Sequence, residues 1–221
     1  MGVQLASVKS KLLKVFKSPF LWAFLIGVVS LHLVREFSYM RRYAPPAMVQ
    51  VGEWSLTNHK GEAFGSKQLA GKVVIANFFF THCPTICPKL IQDMKELKKR
   101  FTNLEDQVYF VSFSVDPEND TPDVLSAYAE KNDIRDANWI FLTGENKHVH
   151  HVIVDQMKLH VGEREPIPND SDKEAELYQV SHLAEFALYD QKGDLRGKFP
   201  TDPTGLAAME RAAKFLLEKG P

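Results

Sequence analysis

Residues 72–80 read KVVIANFFF, where every position after Lys72 except Asn77 is apolar. A continuous β-branched and aromatic run marks a strand buried on both faces, so the chain must supply covering layers on each side of a sheet. VYFVSFSV (108–115) and WIFLTG (139–144) have the same character. Between these runs the period changes. Leu90, Met94 and Leu97 recur at helical spacing within a segment of about 84–100 that ends in lysines. In DTPDVLSAYAEKN, Thr121 is placed to cap a helix and Pro122 to occupy its first position. Strand and helix therefore alternate, which predicts an α/β domain with a partly parallel central sheet.

The flanking segments complete this plan. WSLTNHKGEAF reads as an N-terminal hairpin around an Asn-His-Lys-Gly turn, and a helix is expected over about 145–157. GEREPIPNDSDKEAE (162–176) has the composition of an exposed loop or hairpin. AEFALYD, a QKG turn and LRGKF form a last hairpin, followed by a helix over 204–218.

The N-terminus has a different chemistry. SPFLWAFLIGVVSLHLV (18–34) is a stretch of 17 residues without Asp, Glu, Lys or Arg, flanked by Lys17 and Arg35. As a helix it would be about 25 Å long, near the ~30 Å of a bilayer core. The flanking cations can snorkel, and Trp22 sits where an interfacial indole would. This predicts a basic tail (1–17), a single uncleaved membrane anchor (18–34), a linker (35–48) including the spacer YAPPAM, and one folded domain (49–221). No A-x-A-like cleavage site follows the apolar stretch. Four basic residues precede the span and three follow it, which orients the body away from the cytoplasm. Of 27 basic and 28 acidic residues, seven and one fall in residues 1–43, leaving the body with 20 against 27. So acidic a body argues against a nucleic-acid partner, whose binding rests on neutralising phosphates.

The two cysteines of the chain, Cys83 and Cys87, stand in FTHCPTICP, where the first strand gives way to a helix. At a helix N-terminus the free N–H groups and macrodipole stabilise thiolate, which is both a disulfide-exchange nucleophile and a soft metal ligand. Four residues apart, both sulfurs fall on one face and can address one ion. A strand delivering cysteines to a helix is also the thioredoxin arrangement, but thioredoxin-type catalysts use C-x-x-C and place a proline before the opposing hairpin strand. Here that region is YQVSHLAEFALYD, with His182 and no proline. That exchange suits metal binding better than disulfide catalysis.

FTHCPTICP, SFSVDPENDTPDVLSAYAEKN, WIFLTG and the late VSH before a strand–QKG–strand hairpin resemble the Sco/SenC family of copper-binding assembly proteins, over about residues 50–217. The resemblance implies a thioredoxin-like fold behind a single N-terminal transmembrane helix. It implies a copper chaperone for the dinuclear copper centre of cytochrome c oxidase subunit II. Copper, one per chain, would be held by Cys83, Cys87 and His182, a set that accommodates Cu(I) and Cu(II). The expected partners are the membrane, that subunit or another copper enzyme, a copper donor protein and a thiol reductase. The expected location is the inner (cytoplasmic) membrane with the C-terminal domain facing the periplasm. The short N-terminus, without room for a transit peptide, disfavours a mitochondrial membrane. Two positions depart from the family pattern: Ser181 stands where aspartate is common and Leu183 where a small hydroxyl residue is. Both bear on the surroundings of the histidine. Asp116, in the VDP motif, matches the family pattern and is assigned either a structural role or one supporting the ligands from behind.

The remaining candidates are weaker. His82 adjoins Cys83 and is an auxiliary ligand at most. His148, His150 and His151 in KHVHH read as a solvated helix surface, and His59, His32 and His160 as incidental. Phe78, Phe79 and Phe80 read as core. The alternative function is a membrane-tethered thiol–disulfide reductase using Cys83 and Cys87 as a redox pair; the chaperone itself is expected not to be an enzyme. A peroxiredoxin would need T-x-x-C, whereas Thr81 is two residues before Cys83. A structural zinc site would need a fourth ligand.

Overall fold

The computed structural model describes residues 18–43, 46–159, 164–166, 178–180 and 185–220. The chain divides between Ala44 and Pro45 into two units. In the first, α1 (Pro19–Tyr43) is one helix that continues through Arg35 rather than ending at Val34. Over residues 19–35 its apolar side chains are not buried, with Phe20 83%, Leu31 72% and Phe24 67% exposed. Among the described residues no helix meets the length and apolarity of a full membrane crossing.

The second unit is built on a seven-stranded sheet. Its strands are β1 (Ser55–Asn58), β2 (Ala63–Gly65), β3 (Val73–Phe79), β4 (Val108–Ser114), β5 (Trp139–Thr143), β8 (Glu185–Tyr189) and β9 (Leu195–Pro200), in the spatial order β2-β1-β5-β4-β3-β8-β9. β3, β4 and β5 are parallel, and the outer neighbours pair antiparallel. The sheet is mixed, as the three apolar runs and two hairpins predict. β6 (Arg164–Pro166) and β7 (Tyr178–Val180) pair antiparallel as a separate ribbon at the ends of the polar 162–176 segment.

Every residue of β3 is buried, and its side chains alternate between two cores. Val73, Ile75 and Phe79 point toward α3 (Cys87–Lys99), α4 (Pro122–Lys131) and α6 (Pro203–Lys219). Val74, Ala76 and Phe78 join Val111, Phe113 and Leu142 on the other face. That face is covered by α5 (Asn146–His150) and the π-helical turn His151–Gln156 that continues it, through Val149, Val152 and Ile153. The expected 145–157 helix thus changes its winding midway. A short α2 (Ser66–Leu69) follows β2. Gly65 between them is required by crowding, since a Cβ there would lie 2.0 Å from the Trp54 carbonyl oxygen.

Capping follows the sequence signals. The Thr121 hydroxyl accepts from the Val124 N–H at 3.4 Å, and the Asp202 carboxylate accepts from the Thr204 and Gly205 N–H groups to start α6. α3 begins later than its expected start near Pro84. Pro84–Ile86 form a turn, and the first helical residue is Cys87. α3 presents Cys87, Leu90, Ile91, Met94 and Leu97 as one buried stripe. Replacing Ile91 by Ala should cost about 2–5 kcal/mol in denaturant unfolding, because a fully buried side chain leaves a cavity. Glu96→Ala, on the exposed side of the same helix, should stay within about 0.5 kcal/mol.

Candidate metal centre

β3 carries the chain into the protein interior, and Phe79 and Phe80 remain buried in the core that also holds both cysteines. Phe78 belongs to the opposite face, so only two of the three phenylalanines back the site. Beyond Phe80 the chain turns, with the Cys83 N–H donating to the Phe80 carbonyl at 3.3 Å. Cys83 lies in this turn and Cys87 opens α3, so the spacing of four brackets the helix N-terminus rather than lying within the helix. The Cys87 N–H donates to Cys83 Sγ at 3.4 Å, which makes the sulfur a cap for the helix.

Both cysteines are buried and neither is in a disulfide. They are unequal. Hydrogen bonding from the Cys87 thiol, reinforced by the N–H groups of Cys87, Thr85 and Ile86, holds the Cys83 thiol far below its ordinary 9.0, at about 4. Donating to that sulfur and lying buried push the Cys87 thiol upward. At neutral pH the pair therefore carries one thiolate on Cys83 and one proton on Cys87, the arrangement that the N-terminus of a helix favours.

The turn is braced from below by a residue that the sequence reading passed over. Asp120 is fully buried, and its carboxylate accepts from the Thr81 N–H at 3.2 Å, from the Thr81 hydroxyl, and from the Ser114 hydroxyl at 2.6 Å. Burial raises its pKa against the pull of these bonds. Asp116 is buried beside it: its N–H donates to Ser114 Oγ at 3.0 Å, and its carboxylate accepts from Asn119 Nδ2 at 2.9 Å. Asp116 thus braces its own loop, whereas Asp120 is the one that reaches the cysteine turn. The only signal for it was the second acid of V-D-P-x-x-D-T-P.

His82 is exposed next to Cys83. Because the Thr81 hydroxyl gives its single proton to Asp120, it accepts from His82 Nδ1–H at 3.1 Å, leaving Nε2 as the free imidazole nitrogen. Tyr128 packs on Phe79 with ring centroids 5.4 Å apart, and burial, with the nearby sulfurs, raises its pKa. His182 lies outside the described residues, as do Ser181, Leu183 and His160. Among the described residues no three His, Cys, Asp or Glu side chains converge as a metal site. Two of the three KHVHH histidines are engaged elsewhere: His148 Nε2 donates to the Ser55 carbonyl at 2.8 Å and His151 pairs with Asp155 at 2.9 Å. His59 Nδ1 accepts from the Phe141 N–H at 3.3 Å, and burial lowers its pKa. His32 lies on α1.

A thiolate–thiol pair at a strand-to-helix junction of a mixed sheet covered on both faces defines a thioredoxin-like protein. Comparison with known proteins narrows the class. The SCO1/SenC family model matches residues 44–217, and the chain belongs to that family. It is 38% identical over 99 residues to the "SCO1 protein homolog" of Bacillus subtilis, a match covering 45% of this chain and 51% of that one. The chain thus spans about half the length of that relative. It superposes on Bradyrhizobium japonicum ScoI, solved with copper bound, with a TM-score of 0.60 at 26% identity, covering 75% of this chain and 99% of the other. BsSco, solved in a study of a disulfide switch and described as a member of the Sco family of cytochrome c oxidase assembly proteins, matches with a TM-score of 0.57 at 27% identity over 76% and 95% of the two chains.

The thiol asymmetry has a direct consequence for pH dependence. Cys83 is depressed on folding, so its contribution to stability is complete above the ordinary thiol value of 9.0 and is lost as pH falls toward about 4. Iodoacetamide at pH 6 should label Cys83 before Cys87 in mass spectrometry of the reduced protein. Equal labelling, or Cys87 first, would contradict the assignment.

Proposed function

We propose that this protein binds copper through Cys83, Cys87 and His182, one ion per chain, and delivers it to the dinuclear copper centre of cytochrome c oxidase subunit II. The observation that carries the reading is the cysteine pair itself, two sulfurs bracketing one helix N-terminus with one of them already ionised. Such a donor set fits copper: thiolates are the soft ligands that Cu(I) prefers, and an added imidazole also suits Cu(II). Three protein ligands leave the cargo open to a partner's attack. The copper-bound relative and the oxidase-assembly description of BsSco support the same reading.

The residues divide the work. Cys83 meets the ion as thiolate without prior proton loss, whereas Cys87 must release its proton as it ligates. His182, on the segment leading into β8, would supply the third ligand. Asp120 keeps the Thr81–Cys83 turn in place as the ion enters and leaves. We further propose that α1 tethers the domain to the inner membrane, with the domain on the periplasmic side. The apolar stretch 18–34 and the cations Lys17 and Arg35 on either side of it support that reading. A copper donor protein and a thiol reductase would then act on the site from the same compartment.

The asymmetric thiols also favour a second reading, a tethered thiol–disulfide reductase in which Cys83 attacks a target disulfide and Cys87 resolves the mixed disulfide. The two readings differ in their need for His182. Under the chaperone reading, titrating the reduced protein with Cu(I) should bind one equivalent and release about one proton near neutral pH, because Cys83 is already ionised. Cys83→Ala and Cys87→Ala should abolish tight binding, and His182→Ala should weaken Cu(II) binding and alter its visible and EPR spectra. Unchanged Cu(II) affinity and spectra in His182→Ala, with target-disulfide reduction intact, would favour the reductase.

A further inference from the structure

We propose that His82 is the ligand that copper meets first on entering the site and leaves last, passing the ion to Cys83 rather than holding it at rest. The inference rests on the copper reading above and adds a route to it. Both sulfurs lie below the surface, with Cys83 7% and Cys87 1% exposed. An ion arriving on a carrier must therefore be taken over by an exposed group at the mouth. The exposed residues of the cysteine turn and the start of α3 are His82, Pro84, Thr85, Pro88 and Lys89. Of these, only His82 has a side-chain donor that suits copper. Proline has no ligating atom, a hydroxyl is a hard donor, and an ammonium has no lone pair to give.

The imidazole is also held as a ligand would be. Its Nδ1–H donates to the Thr81 hydroxyl at 3.1 Å, and that hydroxyl donates to the Asp120 carboxylate. Asp120 is fully buried and accepts from the Ser114 hydroxyl at 2.6 Å as well. Metal-binding histidines characteristically give their second ring N–H to an oxygen acceptor, which fixes the tautomer and orients the ring. Here the acceptor is itself anchored in the core, so Nε2 is kept free on an exposed side chain one residue from the thiolate. Among the described residues no three His, Cys, Asp or Glu side chains converge, so the contact is a passing one rather than a resident one. In the resulting exchange, Nε2 displaces one donor of the carrier, and the Cys83 thiolate then displaces Nε2. Cys87 completes the pair, and its proton leaves to solvent. Copper stays Cu(I) throughout, and unloading runs the same steps backwards.

The test follows Cu(I) passing from bicinchoninate to the full reduced chain in detergent micelles, without oxygen, by the loss of the chelate's colour in stopped flow. His82→Leu and His82→Met introduce side chains of nearly equal volume at an exposed position, so both variants should fold. Only the second brings a thioether, which Cu(I) accepts as a ligand. His82→Leu should load about tenfold more slowly than the intact chain. It should also return copper to excess bicinchoninate more slowly by the same factor, leaving the final affinity unchanged. His82→Met should load within about threefold of the intact rate, a recovery that a merely structural role for His82 would not give. Loading of His82→Leu at the intact rate, His82→Met as slow as His82→Leu, or a His82→Leu chain that loses affinity instead of speed would overturn the proposal and leave the copper reading standing. An intact chain that takes no Cu(I) would overturn both.

Discussion

The hydrogen bond from the Cys87 N–H to Cys83 Sγ is the contact on which the chemistry of this domain rests. It ends the turn after β3, begins α3, and reinforces the thiol–thiol hydrogen bond that sets which of two otherwise equivalent thiols carries charge. A free helix N-terminus must find acceptors, and here a thiolate supplies one. The helix therefore stabilises the ligand, and the ligand stabilises the helix. The depressed Cys83 follows first from the hydrogen bond of the Cys87 thiol and then from the N–H groups of Cys87, Thr85 and Ile86. The elevated Cys87 follows from that same thiol–thiol bond and burial, and with the pair comes the ability to accept a soft cation or attack a disulfide.

Around this contact the fold supplies rigidity. β3 is buried on both faces, so the turn it feeds cannot shift without disturbing two cores. Asp120 fastens the start of the turn from a distant part of the chain, reaching Thr81 from the loop that leads into α4. The Thr81 hydroxyl then passes the constraint to His82 by accepting its Nδ1–H. Such bracing suits a site that must accept and surrender an ion without rearranging, since ligand geometry depends on the groups behind the ligands.

Much of the fold was legible in the sequence because its strongest signals are local. Runs such as KVVIANFFF and VYFVSFSV can be buried on both sides in few ways, and Thr121-Pro122 states where α4 starts. The start of α3 was less legible. Pro84 and Pro88 are both compatible with a first helical turn, and only the tertiary position of Cys83 decides that the chain turns first and winds afterwards. The π-helical continuation of α5 was hidden for a similar reason, because Val149, Val152, Ile153 and Met157 fit the apolar spacing of an ordinary helix. Asp120 was legible only as the second acid of its motif, because its role arises from Thr81 and Ser114, partners that the fold brings to it and that no periodicity reports.

The central claim is that two sulfurs and one imidazole hold one copper ion. X-ray absorption at the copper edge of the Cu(I)-loaded reduced chain, compared with His182→Ala, tests it most directly. The account predicts two sulfur scatterers and one nitrogen in the intact protein, with the nitrogen lost in the variant and both sulfurs kept. A nitrogen contribution that persists without His182, or a copper shell with fewer than two sulfurs, would contradict it.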